Sequence, residues 1–282
     1  MIWSEENMSS RIRDLPVVVV TFAIIGLILF PFFWMIISSL KPSTDLLTRE
    51  LQLIGRSLTL ENYRGILEAG FFRFVLNSVF MCTTATIVCV WLISSPAAYA
   101  ISRYHFPGRN SILAMVGFTQ MFPWVILVTP VFMMFWALRL VNSYLGLIIV
   151  YIAITVPFSI YMLLGYFETI PKVLDEAAVV DGCSPLGVIF RVILPISLPG
   201  LVATSAYTFA VTWNEFVFAL TLMTQTEKKT VPVGVANFLG QYTTDWGVVM
   251  AASVVATVPT VIFFLLLQRH LVAGLAAGAV KQ

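Results

Sequence analysis

Charge is what this chain has least of. Lys, Arg, Asp and Glu make up only 11% of its 282 residues, against 59% hydrophobic, and the mean hydropathy is +0.94. Soluble domains carry charge on about a quarter of their residues, so a water-facing fold is excluded. Cysteine is scarce as well. Cys82, Cys89 and Cys183 form no metal-ligand or redox spacing and read as small hydrophobes that fix no compartment. His105 and His270 stand far apart without companion ligands, so no metal site is expected. No Gly-Lys pair occurs, which removes the phosphate loop of an ATPase. No Ser/His/Asp grouping suggests hydrolysis, so no catalytic residue is expected and the chain reads as a non-enzyme. The basic residues gather into no patch, which argues against nucleic acid.

What the chain has is long uncharged apolar runs. About 20 apolar residues cross the hydrocarbon core, and six segments qualify: 17–40, 74–101, 112–138, 143–167, 197–223 and 247–268. The expectation is an all-α polytopic membrane protein, one transmembrane domain over 1–282 with six helices. The first run has no small-residue cleavage site behind it, so it is expected to stay as a span. Pro31, Pro96, Pro123, Pro130 and Pro157 fall inside the runs and invite kinks, which membrane bundles tolerate when neighbours re-satisfy the freed carbonyls. Charge does not orient the bundle. With the N-terminus inside, Arg11, Arg13, Arg103, Arg109, Lys172, Arg191, Arg269 and Lys281 are inner. Lys41, Arg49, Arg56, Arg64, Arg73, Arg139, Lys228 and Lys229 are outer, eight against eight.

The connections are unequal. A short amphipathic helix is expected around 60–67. The segment 224–246 is longer than a hairpin between spans requires. Its less polar half, Val231 to Phe238, suggests contact with a partner rather than a solvated linker. The most informative connection is 168–195. Pro171 opens a helix that runs to about Val180, Asp181-Gly182 turns, and Ser184-Pro185 restarts a helix as N-cap and first position. Leu194-Pro195 then leads into the fifth span.

This loop resembles the EAA loop of binding-protein-dependent ABC importer permeases. Glu176, Ala177, Ala178, Gly182, Leu194 and Pro195 match at the family's spacing, with Val192 where Ile is usual. The resemblance extends along nearly the whole chain to the maltose-type sugar permeases. It includes Ser57–Tyr63, Ala97–Arg103 with Phe106–Arg109, Trp213-Asn-Glu-Phe216, and the tail from Leu271 to Lys281. The family's tail more often ends in Gly than in Gln282, and often carries Thr where Ala276 stands.

The resemblance implies a type I ABC importer permease of the bacterial or archaeal inner membrane, with both termini and the EAA loop cytoplasmic. It implies three kinds of partner besides lipid: a second permease, two cytoplasmic ATPase subunits that bind ATP and Mg, and an extracytoplasmic solute-binding protein. Glu176, Ala177, Ala178, Asp181, Gly182, Leu194 and Pro195 would form the coupling loop that docks into an ATPase cleft. Gly274, Gly278 and Lys281 of the tail would reach between the ATPases. The substrate class the resemblance implies is a di- or oligosaccharide, or alternatively a polyol or glycerol phosphate.

Glu215 is the only acidic residue well inside a span, about 27 Å along the fifth helix from Ser197. An ion near mid-bilayer costs at least ~2.5–3.5 kcal/mol, so it should face the bundle interior, as a pore group or an inter-subunit contact. Asn214, Trp213 and Gln120 join it as pore candidates for hydrogen bonding and ring stacking. The competing reading is a stand-alone secondary transporter or channel. Such proteins place several ionisable groups in mid-membrane or repeat themselves inverted, and neither pattern occurs here.

Overall fold

A computed structural model describes the backbone over residues 5–46, 57–240 and 244–279, and the side chains over 16–46, 57–240 and 244–268. Among the described residues every regular element is helical. In order, the longer ones are α1 (Glu5–Ser39), α2 (Ser43–Leu46), α3 (Glu61–Glu68), α4 (Phe71–Arg103), α5 (Arg109–Gln120), α6 (Val128–Ala137) and α7 (Tyr144–Phe167). They continue with α8 (Val173–Val180), α9 (Pro185–Ile196), α10 (Leu198–Trp213), α11 (Val217–Leu222), α12 (Val231–Ala236) and α13 (Trp246–Ala279).

Four helical stretches are long and apolar enough to cross a membrane: Pro16–Ser39, Phe71–Arg103, Tyr144–Phe167 and Trp246–Gln268. The other two expected spans are not single rods. The third is broken at Pro123, where Arg109–Gln120 meets Trp124–Ala137 at 88°. Proline is confined to φ near −65° and disfavours a helical residue before it, so the helix stops ahead of Pro123. The fifth starts after an 80° bend between α9 and α10, and its helix ends at Trp213 rather than running on to Met223. Chain continuity resumes as helix only at Val217.

Two π-helical stretches, Ile87–Ser94 and Val188–Ile193, each end just before a proline, Pro96 and Pro195. Widening the turn moves the ring away from the carbonyl it would strike. At the first, the N–H and the Oγ of Ser95 both donate to Val90 O.

The chain groups into two compact units, 1–69 with 238–255, and 70–237 with 256–282. In the first, α3 fastens the end of α1. Asn62 Nδ2 donates to Ser39 O and Lys41 O, both at 2.8 Å, which satisfies carbonyls that the helix end leaves open. Ser39 and Tyr63 hydroxyls meet at 2.7 Å. Asp245 accepts from Val248 N at the start of α13 and from Ser43 Oγ. None of the most apolar stretch of α1 is buried within the chain, as expected of a helix that faces lipid or another subunit.

The second unit is built on α4, α7 and α10, which pack on one another. Met81, Cys82, Ala85, Leu147, Tyr151, Leu163, Leu201 and Phe209 are all essentially inaccessible. A polar seam runs through this core. Thr155 Oγ1 lies 3.3 Å from Cys89 Sγ, Cys89 Sγ 3.6 Å from Ser159 Oγ, and Ser159 Oγ 3.1 Å from Thr208 Oγ1. Small hydroxyl residues of this kind let apolar helices approach closely and join them. Cys89 is therefore part of a hydrogen-bonded seam as well as a small hydrophobe.

Candidate functional site

The loop from 168 to 195 folds as a helix, a turn and a helix, each boundary made by a local signal. Its first helix, α8, starts at Val173, and Pro171 serves one turn earlier, its carbonyl accepting from Leu174 N. At the other end Gly182 takes φ +84°. Cys183 N donates to Ala178 O and Gly182 N to Val179 O, both at 3.0 Å, which is the Schellman closure. Ser184 then caps α9 with its Oγ accepting from Gly187 N at 3.2 Å, and Pro185 takes the first helical position.

The two alanines face opposite ways. Ala178 is 5% exposed and belongs to an apolar cluster with Ile170, Val188, Ile189, Ile193 and Leu194, backed by Tyr99, Leu164 and Phe167. Ala177 is exposed, as are Glu176, Asp181, Gly182 and Pro195. Of the residues expected to touch a partner, Ala178 and Leu194 are thus occupied in holding the loop to its own bundle. Val173, Val179 and Val180 are exposed on α8, so its outer surface is apolar with Glu176 among them.

A cluster that the sequence did not single out fixes α8 in place. Arg103, the last residue of α4, forms an ion pair with Asp175 at 3.1 Å, Nε to Oδ2, with both side chains largely buried. Its two terminal nitrogens donate to Phe167 O at 3.2 Å, on the last residue of α7, and to Ile170 O at 3.1 Å just beyond it. Tyr99, one turn earlier on α4, donates its hydroxyl proton to Asp175 Oδ1 at 2.6 Å. Tyr99 and Arg103 share a helix face at i and i+4, and that spacing was the available signal. Asp175 lies 76 positions from Tyr99, which no local pattern reveals. A groove of about 480 Å³ opens beside the cluster, bounded by Tyr99, Arg103, Lys172, Glu176, Val180 and Pro185.

The pore candidates divide. Trp213 is 4% exposed and stacks on Phe209, which itself stacks on Phe263, so it belongs to the core. Asn214 and Glu215 sit in the break between α10 and α11. Asn214 is exposed, with Nδ2 donating to Ala210 O at 2.8 Å. The half-buried Glu215 carboxylate accepts from Phe218 N at 2.7 Å and Ala219 N at 3.0 Å. It therefore caps α11. Gln120 is exposed at the end of α5. In the tail, Gly274 and Gly278 lie on the backbone of α13, while Lys281 falls outside the described residues.

The segment 224–240 differs from expectation. Its apolar half is a helix, α12, with Val231, Val233 and Gly234 buried. Gly234 lies against the Phe74 ring, where a Cβ would collide. Packing on α4 accounts for the apolar character, and only Thr224 to Glu227 remain exposed in the first half. Asn142 holds the base of the loop: its Nδ2 donates to Thr224 Oγ1 and its Oδ1 accepts from Gln225 N. Asn77 Nδ2 donates to Glu227 O and Lys229 O.

Long apolar helices, two of the spans broken, and a capped helix–turn–helix packed at the end of the bundle are the features of a polytopic helical membrane protein. Residues 91–276 match the family described as the binding-protein-dependent transport system inner membrane component, and the chain belongs to it. It is a permease of an ABC importer, not an enzyme. The trehalose/maltose transport system permease MalG of Thermococcus litoralis is 43% identical over 257 residues, 90% of this chain and 91% of the relative. The trehalose permease SugB of Mycobacterium tuberculosis is 37% identical over 92% of this chain and 94% of its own length. The diacetylchitobiose permease DasC of Streptomyces coelicolor is 33% identical, covering 95% and 97%. A crystal structure of a bacterial ABC transporter that imports the acidic polysaccharide alginate superposes with a TM-score of 0.77 at 22% identity, over 93% of this chain and 98% of that one. That likeness speaks for the fold alone.

Proposed function

We propose that this chain is one of two permease subunits that carry a di- or oligosaccharide across the inner membrane. A solute-binding protein delivers the sugar on the outside, and two separate ATPase subunits bind ATP and Mg on the inside. The observation that carries this reading is the 43% identity to a trehalose/maltose permease across nine-tenths of both chains. The sugars in the names of the other two relatives, trehalose and diacetylchitobiose, are also disaccharides.

In this reading the loop 168–195 and both termini are cytoplasmic, and α8 docks into a cleft on an ATPase subunit. Exposed Glu176 is the polar anchor, Ala177 allows close approach, and Asp181-Gly182 sets the bend. Ala178 and Leu194 keep the loop on the bundle, and exposed Pro195 leads into the fifth span. Gly274, Gly278 and Lys281 lie in the tail that reaches between the ATPases. Closure of the ATPase pair on ATP drags α8, and the permease pair changes the side of the membrane to which it opens. Asn214 and Glu215, at a break in a span, offer polar groups to a sugar on the way.

The test is uptake by the assembled importer in lipid vesicles. The expected result is ATP-driven accumulation of trehalose or maltose that requires the binding protein. Accumulation of glycerol 3-phosphate alone would withdraw the sugar assignment, and uptake without ATPase subunits would withdraw the importer assembly.

A further inference from the structure

We propose that Arg103 is a positioning residue that locks α8 to the ends of α4 and α7, so that displacement of α8 moves those helices with it. The inference rests on the coupling role given to α8 above.

The helix α8 has only eight residues, too few to persist without tertiary contacts. Its one fully buried side chain is Ala178, a single methyl group. A force applied to such a helix would tilt it on that contact rather than move the bundle. What prevents tilting is Asp175. Both of its carboxylate oxygens face α4: Oδ1 accepts from the Tyr99 hydroxyl, and Oδ2 is held by charge, 3.1 Å from Arg103 Nε without a hydrogen bond. The same guanidinium holds Phe167 O and Ile170 O, so it joins three chain segments at once.

The planar fork of Arg suits this task, because it presents donors in fixed directions where the Lys ammonium is a point charge. Its positive charge also lies where the α7 dipole ends negative. The Arg103 side chain is only 6% exposed and that of Asp175 15%, so solvent competes little for either. A second tie, Arg109 to Glu168 at 3.3 Å, is more exposed and holds the start of α5 to the end of α7 without touching α8.

Two measurements on the complete importer in lipid vesicles test the lock. The first places spin labels at exposed Val173 on α8 and Tyr104 just after α4, leaving the lock residues intact. The expected result is one inter-label distance, unchanged between nucleotide-free and ATP-bound states. A change on ATP binding would show α8 swinging independently and overturn the proposal.

The second compares sugar transported per ATP hydrolysed. Asp175→Asn and Arg103→Lys should lower that ratio about tenfold, within the usual range of coupling between sites, and Asp175→Glu should recover part of the loss. A merely stabilising role would lower assembly, hydrolysis and uptake in step, with the ratio intact, and that outcome rejects the lock. Glu176→Lys is measured alongside. If it leaves uptake normal, the coupling role of α8 fails and the lock with it. If it stops uptake while the lock variants keep their ratio, the lock alone is wrong.

Discussion

Glu215 Oε1 accepts a hydrogen bond from the backbone N–H of Phe218 at 2.7 Å. With Oε2 on Ala219 N, the carboxylate restarts a helix that had stopped at Trp213. Loss of a helix cap costs about 0.5–2 kcal/mol, so Glu215→Ala should lower the melting temperature of the purified importer. Glu215→Gln retains one acceptor oxygen and should melt closer to the parent. If Gln also leaves sugar uptake at the parent level, the carboxylate serves only as a cap and its place on the sugar path is lost.

Gly182 sits at φ +84°, in the left-handed region. Residues with a Cβ meet the following carbonyl there, at about 1–2 kcal/mol, and β-branched ones fare worst. Gly182→Val should leave membrane insertion intact and reduce uptake sharply, and Gly182→Asn should be milder. Parent-level uptake by the Val variant would remove the turn from the coupling machinery.

Gly200 on α10 lies against Tyr166 of α7, where an added Cβ would come within 2.5 Å of the ring. Gly200→Leu should destabilise the complex by about 1–3 kcal/mol, the usual effect of overpacking. Thermal melts of Gly200→Ala, Tyr166→Leu and the double variant should show compensation, the double being more stable than the two losses added.

In the outer loop, the buried and exposed parts make different predictions. Val233→Asp places a charge at a fully buried position and should prevent assembly. Replacing the exposed side chains of Gln225, Thr226 and Glu227 by Ser should spare assembly and basal ATP hydrolysis. It should weaken stimulation by the solute-binding protein. Full stimulation in that variant would leave the loop a simple connection.

Topology is checked by thiol labelling in intact cells. Cysteines at exposed Ser57 and Thr226 should react with an impermeant reagent, and one at Ser184 should not. Reaction at Ser184 would invert the bundle.

The loop 168–195 was legible because its boundaries are local. Pro171, Gly182 and Ser184-Pro185 act on their own backbone neighbours within a few residues, and the folded loop uses each close to where it was expected. The broken spans were not. Pro123 stood among five prolines that invite kinks, but average hydropathy counts apolar residues and is blind to direction, so neither the 88° size of that bend nor the stop at Trp213 could be read.

By itself, the sequence determined that the chain lies in a membrane, which runs are apolar enough to cross it, and which family's loop it carries. Those follow from composition, run length and short-range spacing. Tertiary structure alone decided that Ala178 faces inward while Ala177 faces out, and that Val233 is core. It also decided that Arg103 meets Asp175. Each depends on which helix lies opposite, and in a chain so uniformly apolar almost any face could be buried by pattern alone. The partner helix, reached only after the bundle closes, makes the choice.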